Sequence, residues 1–452
     1  MEDTIVAIST ASGVGAISII RLSGPNALEV ASSIFKGKDL KKVASHTINH
    51  GYIIDKNGSI IDEVLVSVML APKTYTTEDI VEINTHGGIA STNRVLELCL
   101  VNGARLAQPG EFTKRAFLNG RIDLTEAEAI EDVITSSTDK SLRLSMNQLT
   151  GSLKNLIMEI RKDIMSLIAN IEVNIDYPEY EDAEDITLQK LKEKLLPIKS
   201  KLEELLRNSN DAKIIKDGIN ICMIGRPNVG KSSLLNAFLE EDKAIVTDIA
   251  GTTRDIVEGE TIINGIKINF LDTAGIRKTA NVVEKIGVDK SKKIINTADL
   301  IILVLNNNEK LTPDDLELLD LIKNKNYIIF INKNDLPANI DLPDKKYINV
   351  VYGNTLTTTG IKELKEMITT LFNLEKISTN DATYITNARH KALIEVALNY
   401  LNSALENIDN SYSVDMLEID IRACWDTLGE IIGATYKDEL LDELFSNFCL
   451  GK

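Results

Sequence analysis

Eight consecutive residues, Gly225-Arg226-Pro227-Asn228-Val229-Gly230-Lys231-Ser232, fit the pattern G-x-x-x-x-G-K-[ST] between an apolar run, INICMI, and a helix-like run, SSLLNAFL. Glycines at such a turn let backbone N–H groups point inward around a β-phosphate, and the following helix adds its positive end. Lys231 is expected to meet β- and γ-phosphate oxygens and Ser232 to offer its hydroxyl to Mg²⁺, with Val229, Gly230 and Ser233 completing the loop's contacts.

Two further clusters narrow the chemistry. Asp272-Thr273-Ala274-Gly275 follows the run IKINFL; Asp272 can reach the Mg²⁺ shell through water, and the Gly275 amide can sense a γ-phosphate. Asn332-Lys333-Asn334-Asp335 follows YIIFI. A carboxylate at Asp335 accepts from both N1–H and N2–H₂ of guanine, where adenine offers no such donor pair. Lys333 then lays its stem along the purine and Asn332 braces the loops. Between the phosphate loop and Asp272 runs IVTDIAGTTRD, and Thr247, Asp248, Ile249, Ala250, Gly251, Thr252 and Thr253 within it are expected at the nucleotide, Thr253 as the second Mg²⁺ ligand from a mobile switch. One element departs. Where such proteins usually carry a Ser-Ala pair against the base, the chain has Tyr352-Gly353-Asn354; with backbone N–H groups still able to meet guanine O6, altered affinity without loss of specificity is expected.

Hydrolysis needs an oriented water. Ile276 stands where Ras-like proteins place a glutamine, and an apolar side chain cannot activate water. Glu284 is one candidate for that work, its alternative being a solvated glutamate at a helix start. The Asn228 side-chain oxygen can join phosphate oxygens around a monovalent cation, where an arginine finger would otherwise neutralise charge; Arg226 and Arg254 are rival candidates for the finger.

The elements that must position these residues form an alternating strand and helix unit from 219 to about 372. Before it, residues 1–120 carry β-rich runs at 4–8, 15–22, 60–70 and 80–84, an α+β pattern, and from Leu124 apolar residues recur at three- and four-residue spacing. Helical spacing returns at 388–407, 415–433 and 437–447. Two polar stretches, 208–213 (NSNDAK) and 376–384 (KISTNDATY), are predicted linkers, so the simplest organisation is one helical domain interrupted by an inserted module, with four consecutive domains as the alternative. Sixty-seven acids against fifty bases give a net charge of −17, which disfavours a chain-wide nucleic-acid surface. The four cysteines form no close pair, which predicts a reducing, cytoplasmic setting. MEDTIVAIST has acids where a secretion signal would carry lysines, and LIILVL at 300–305 is too short to cross a bilayer, so no membrane association is expected.

Taken together, GRPNVGKSSLLNAF, IVTDIAGTTRD, DTAGIR, VEKIGV and NKND, flanked by IIRLSG, VEINTHGG, PGEFTKRAFLNGRIDLTEAEAIEDVI, IDYPEYED and LFSNFCLGK, resemble the MnmE (TrmE) family of tRNA-modification GTPases over the whole chain. The resemblance implies an N-terminal folate-binding and dimerisation domain (1–120), a helical domain in two segments (121–212 and 377–452) and an inserted Ras-like P-loop GTPase domain (213–376). It implies potassium held by Asn228, Thr247, Ile249 and Thr252, Mg²⁺ by Ser232 and Thr253, and a catalytic water oriented by Glu284. A tetrahydrofolate derivative, in the 5,10-methylene or 5-formyl form, would meet Arg21, Glu82, Arg121, where members often carry lysine, and Lys452. Read from its surroundings alone, Glu82 is a strand-edge surface acid. Cys449 would stand near the reactive carbon, to pack or position more than to react. His86, Phe112 and Phe117 leave structural and site roles open. The implied partners are a second copy of the chain, an FAD- and NADH-dependent MnmG-like flavoprotein in a heterotetramer or larger complex, and tRNA, modified at C5 of wobble uridine 34.

Overall fold

The computed structural model describes residues 3–176, 187–241, 257–271, 295–342, 347–375, 384–436 and 438–451. They form two compact units, one of residues 1–134, 147–203 and 389–452, the other of 135–146 and 204–388.

The first unit opens with a seven-stranded sheet of β1 (Ile5–Ile8), β2 (Ile17–Ser23), β3 (Phe35–Gly37), β4 (Thr47–Ile54), β5 (Ile60–Met69), β6 (Ile80–His86) and β7 (Arg105–Leu106), in the order β3-β4-β5-β6-β2-β1-β7. All neighbours are antiparallel except β1 and β7. Period-2 alternation decides what each strand buries. Val64, Val66 and Val68 enter a core shared with α1 (Ala27–Ile34) and α2 (Ile89–Val101), while Ile48, Leu65 and Ile17 stand exposed on the opposite face. A third helix, α3 (Glu111–Leu118), follows the sheet, anchored by the fully buried Arg115, which donates to Asp3, Glu78 and Glu111.

Then come α4 (Leu124–Thr135), α5 (Asp139–Leu149), α6 (Ser152–Asp176) and α7 (Leu188–Asp217). Leu153, Ile157, Ile160, Ile164, Leu167, Ile168 and Ile171 form the buried stripe of α6, at the three- and four-residue spacing of a helix face. The predicted linker at 208–213 is instead the continuation of α7. Its polar text hides a buried face: Leu202, Leu205, Ser209, Ala212 and Ile215 keep the helical spacing, and Ser209 returns its hydroxyl to the Leu206 carbonyl. Of the other predicted linker, 376–384, residues 376–383 lie outside the described residues, and Tyr384 is buried in the core of the second unit.

The second unit is a six-stranded sheet of β8 (Ile219–Ile224), β9 (Val257–Ile263), β10 (Ile266–Leu271), β11 (Leu300–Asn306), β12 (Tyr327–Asn332) and β13 (Val350–Tyr352), ordered β13-β12-β11-β8-β10-β9. Only β9 runs antiparallel, joined to β10 by the tight turn at Asn264 and Gly265, both at positive φ. Helices α8 (Lys231–Glu241), α9 (Pro313–Ile322) and α10 (Ile361–Leu371) complete the unit. All seven residues of β11 are buried, as a central parallel strand covered on both faces requires. Ala212 and Ile215 of α7 and Leu144 of α5 join the core beside β8 and β10.

The chain returns to the first unit through α11 (Ala388–Asp409), α12 (Val414–Ile432), packed along α6, and α13 (Asp438–Ser446). At the point of return, Arg389 donates twice to Glu128 of α4 at 3.0 Å, and the buried His390 sets Nε2 2.6 Å from the same carboxylate. Burial opposes charge on Glu128, but His390 and Arg389 outweigh it and hold the carboxyl down at about 2. No described helix is long and apolar enough to cross a membrane.

Candidate functional site

In the second unit β8, β11, β12 and β13 point their C-terminal ends the same way, and the order of the sheet reverses direction at β8. Ligands of open α/β sheets bind outside the carboxyl ends at such a switch point. The loop 225–230 leaves β8 there and runs into α8. Asn228 adopts φ +62° and Gly230 φ +104°. A Cβ at Gly230 would overlap Asn332 Nδ2, so only glycine lets the loop come this close to the end of β12. Lys231 Nζ donates to the carbonyls of Gly225 at 2.6 Å and Arg226 at 2.7 Å, drawing those oxygens to one side of the loop.

The purine-reading segment is fastened to this loop by Asn332, which is buried. Its Nδ2 donates to the Val229 carbonyl at 2.9 Å, and its Oδ1 accepts from the Lys333 and Thr355 amides. Lys333 is held in the left-handed region at φ +62°, with Nζ 3.4 Å from the Asn228 carbonyl, so its stem spans from one loop to the other. Asp335 is exposed, two residues on. Ser232 and Ser233 are exposed in the first turn of α8, and the Asn228 amide is exposed without a hydrogen-bond partner among the described residues. That donor set suits the expected ligands: one hydroxyl for Mg²⁺ and one neutral oxygen for a larger monovalent cation. The remaining expected contacts, Thr247, Asp248, Ile249, Ala250, Gly251, Thr252, Thr253, Asp272, Thr273, Ala274, Gly275 and Glu284, lie outside the described residues, as do Arg254 and Ile276.

Beyond β13 the structure departs from expectation. The Gly353, Asn354, Thr355 and Leu356 amides are committed to Ile331 O, Thr359 O, Asn332 Oδ1 and Asn354 Oδ1. These four N–H groups are thus satisfied within the chain and are not free to meet guanine O6 as expected. Arg226 is committed as well: Nε donates to Asp315 at 2.9 Å and Nη2 to Glu309 at 2.8 Å.

A second polar site lies in the first unit. Arg21 of β2 and Glu82 of β6 are directly opposed cross-strand partners, joined at 2.8 Å. Glu82 is not an edge residue, because β6 is flanked by β5 and β2. Arg21 also lies 5.7 Å from the ring centres of Tyr75 and Phe112, and Arg121 lies 4.9 Å above Tyr75 and donates to its carbonyl. Phe112 is fully buried in a core with Ile5, Ala7 and Ala107, while Phe117 packs with Leu124, Leu441, Phe445 and Phe448. Tyr75 carries no motif signal and was not anticipated; burial raises its phenol pKa. From Tyr75 and Arg121 a cleft of about 590 Å³ extends past Asn119 and Met69. The tail reaches the same place: Gly451 O accepts from Ser9 Oγ at 2.9 Å and Arg21 Nη1 at 3.4 Å. Cys449 is exposed, and its carbonyl accepts from the Gly110 amide. Lys452 lies outside the described residues. His86, the last residue of β6, sets Nδ1 2.6 Å from Asp62, which also accepts from the His86 amide and the Ser91 hydroxyl.

Comparison with known proteins extends over both sites. A family model described as GTP-binding protein TrmE N-terminus matches residues 4–121, and one described as MnmE helical domain matches residues 124–449. The tRNA modification GTPase MnmE of Streptococcus pyogenes serotype M2 (strain MGAS10270) is 54% identical over 455 residues, covering 100% of this chain and 98% of that protein. The tRNA modification GTPase MnmE of Ligilactobacillus salivarius (strain UCC118) is 50% identical over 455 residues, with the same two coverages. With strand-end loops that suit a guanine nucleotide and a likeness that runs through every part of the chain, this protein belongs to the MnmE (TrmE) family of GTP hydrolases.

Proposed function

We propose that this GTPase is stimulated by potassium and, with an FAD- and NADH-dependent MnmG-like flavoprotein in a heterotetramer or larger complex, modifies C5 of wobble uridine 34 in certain tRNAs. The group added is carboxymethylaminomethyl or aminomethyl, its methylene carbon drawn from a tetrahydrofolate derivative. The carrying observation is that the likeness to proteins named as tRNA modification GTPases covers the N-terminal domain as fully as the nucleotide module. A switch that only recruits effectors has no use for that domain.

In this reading Lys231 and the loop amides hold the phosphates, Asp335 selects guanine, and Ser232 shares Mg²⁺ with Thr253. The exposed Asn228 amide, with Thr247, Ile249 and Thr252, holds potassium, which would supply the positive charge that an arginine finger supplies elsewhere. Glu284 orients the attacking water. In the first unit the Arg21–Glu82 pair, Arg121 and Lys452 bind the folate, and the partly exposed Tyr75 ring supports a flat ring system there. The sheet face bearing exposed Ile17, Ile48 and Leu65 supports pairing of two N-terminal domains. Removal of a γ-phosphate releases the switch segments, which gives the complex a conformational cycle.

GTP hydrolysis in matched potassium and sodium buffers, for the parent and Asn228→Ala, tests the cation. Stimulation by potassium that disappears in the variant supports the reading. Equal rates of the parent in both salts would remove Asn228 from it and leave the family assignment intact.

A further inference from the structure

Arg226 is the one side chain of the phosphate loop fastened to carboxylates among the described residues, and what fastens it is built with care. Asp315, 1% exposed, is the N3 residue of α9. It completes a capping box with Thr312, accepting from the Thr312 amide at 3.0 Å and its hydroxyl at 2.8 Å, so its carboxylate is fixed before Arg226 arrives. Glu309 is fixed from the other side, accepting from Asn306 Nδ2 at 2.7 Å. The Asn306 contact lowers the Glu309 pKa, with Arg226 adding to it against the cost of burial. The same short segment also grips the guanine-reading loop. The Asn307 amide donates to Asn332 O at 2.8 Å, its side chain donates to Leu336 O at 3.0 Å, and its carbonyl accepts from the Asn339 amide at 2.8 Å.

We propose that Arg226 is a positioning residue that clamps the phosphate loop to the segment 306–315, and that through Asn307 this segment sets the distance between the phosphate loop and the guanine-reading loop. A guanidinium suits the task because its planar fork meets two fixed acceptors at once, where an ammonium would hold one firmly. The clamp costs the protein a mobile arginine: a side chain held by two carboxylates does not serve as a finger. The inference rests on loop 225–232 being the nucleotide cradle.

The test uses the full-length protein, fluorescent GDP and GTP analogues for affinity, and steady-state hydrolysis for kcat. With the clamp in place, Arg226→Ala is expected to raise Kd for both nucleotides about tenfold while kcat changes by less than about threefold, the pattern of lost ground-state binding. Glu309→Gln, a change at a partly exposed side chain with little bearing on folding, should raise Kd about threefold, as loss of one charge-assisted bond predicts. The double variant should be no worse than Arg226→Ala alone. Arg226→Lys should fall between parent and alanine. A fall in kcat of about a thousandfold with Kd unchanged would make Arg226 a finger and overturn the clamp. Unchanged Kd in both single variants would overturn it too. A parent protein that binds no GDP would sink the cradle reading itself, a separate and recognisable failure.

Discussion

The nucleotide site and the proposed folate site at Arg21 are built in opposite ways. In the first, the polar groups that face the ligand come largely from the backbone of eight consecutive residues, and side chains such as Asn332 work behind them to hold the loop's shape. In the second, charged side chains do the facing, and the residues that assemble them come from positions 21, 75, 82, 112, 121 and 451. A backbone cradle needs one loop conformation, and distant segments enter only as braces behind it, at Asn332, Glu309 and Asp315. A side-chain site is a meeting point of the fold and depends on every segment that meets there.

The sharpest break in that comparison comes from a nucleotide contact made by a side chain. Asp335→Asn removes an acceptor for two guanine donors and is expected to cut GDP affinity about a thousandfold, with xanthosine diphosphate gaining, while 5-formyltetrahydrofolate binding stays unchanged. Isothermal titration with both ligands reads this, and a parallel loss of folate binding would show that the two sites are not independent.

Next in size is a residue that touches neither ligand. Glu128→Ala leaves Arg389 and the buried His390 without their carboxylate and should destabilise the first unit by about 3 kcal/mol, seen as a lowered first transition in thermal unfolding. The same carboxylate carries a pH signature. Its folded pKa of about 2 lies below the ordinary 4.5, so its stabilisation is complete above about pH 4.5 and drains away as pH falls toward about 2. Acid unfolding of the parent in that window should flatten in the variant; an identical acid profile would discard Glu128 as the cause.

Smaller effects separate the members of the side-chain site. Arg21→Ala strands Glu82 and should weaken 5-formyltetrahydrofolate about tenfold, with GDP affinity unmoved. Arg121→Lys keeps the charge but gives up the planar stack on Tyr75, worth about 0.5–1 kcal/mol at an exposed position, and should cost only about twofold to fivefold. If the two substitutions have equal effects, the distinction between a paired and a stacked arginine is wrong.

This difference in construction also decides what could be read before the fold was known. Gly230, Lys231 and Ser232 announce themselves because their spacing is their function. Tyr75 does not, since nothing in KTYTTED marks an aromatic on which two arginines meet. Arg21 and Glu82 were reached through resemblance, and the cross-strand register that pairs them is a property of the sheet. The error at 208–213 has the same root: a helix face buried through Ser209 and Ala212 shows no large apolar residue to betray it. Likewise, amides after β13 looked available for a base because their internal acceptors lie on β12 and at Thr359, which only the folded chain brings near.

The contact between Gly451 and Arg21 joins residues 430 positions apart, with a Cβ at Gly451 leaving no room against Ile8 O. On the ribosome, at about 5–20 residues per second, that is a delay of roughly twenty to ninety seconds between making the two halves of one site. The strands β1 and β2 must therefore wait, folded and incomplete, through the synthesis of the entire nucleotide module. A chain interrupted between residue 388, where the second unit ends, and Gly451 would carry the whole unit that holds the phosphate loop and lack the Gly451 contact on Arg21.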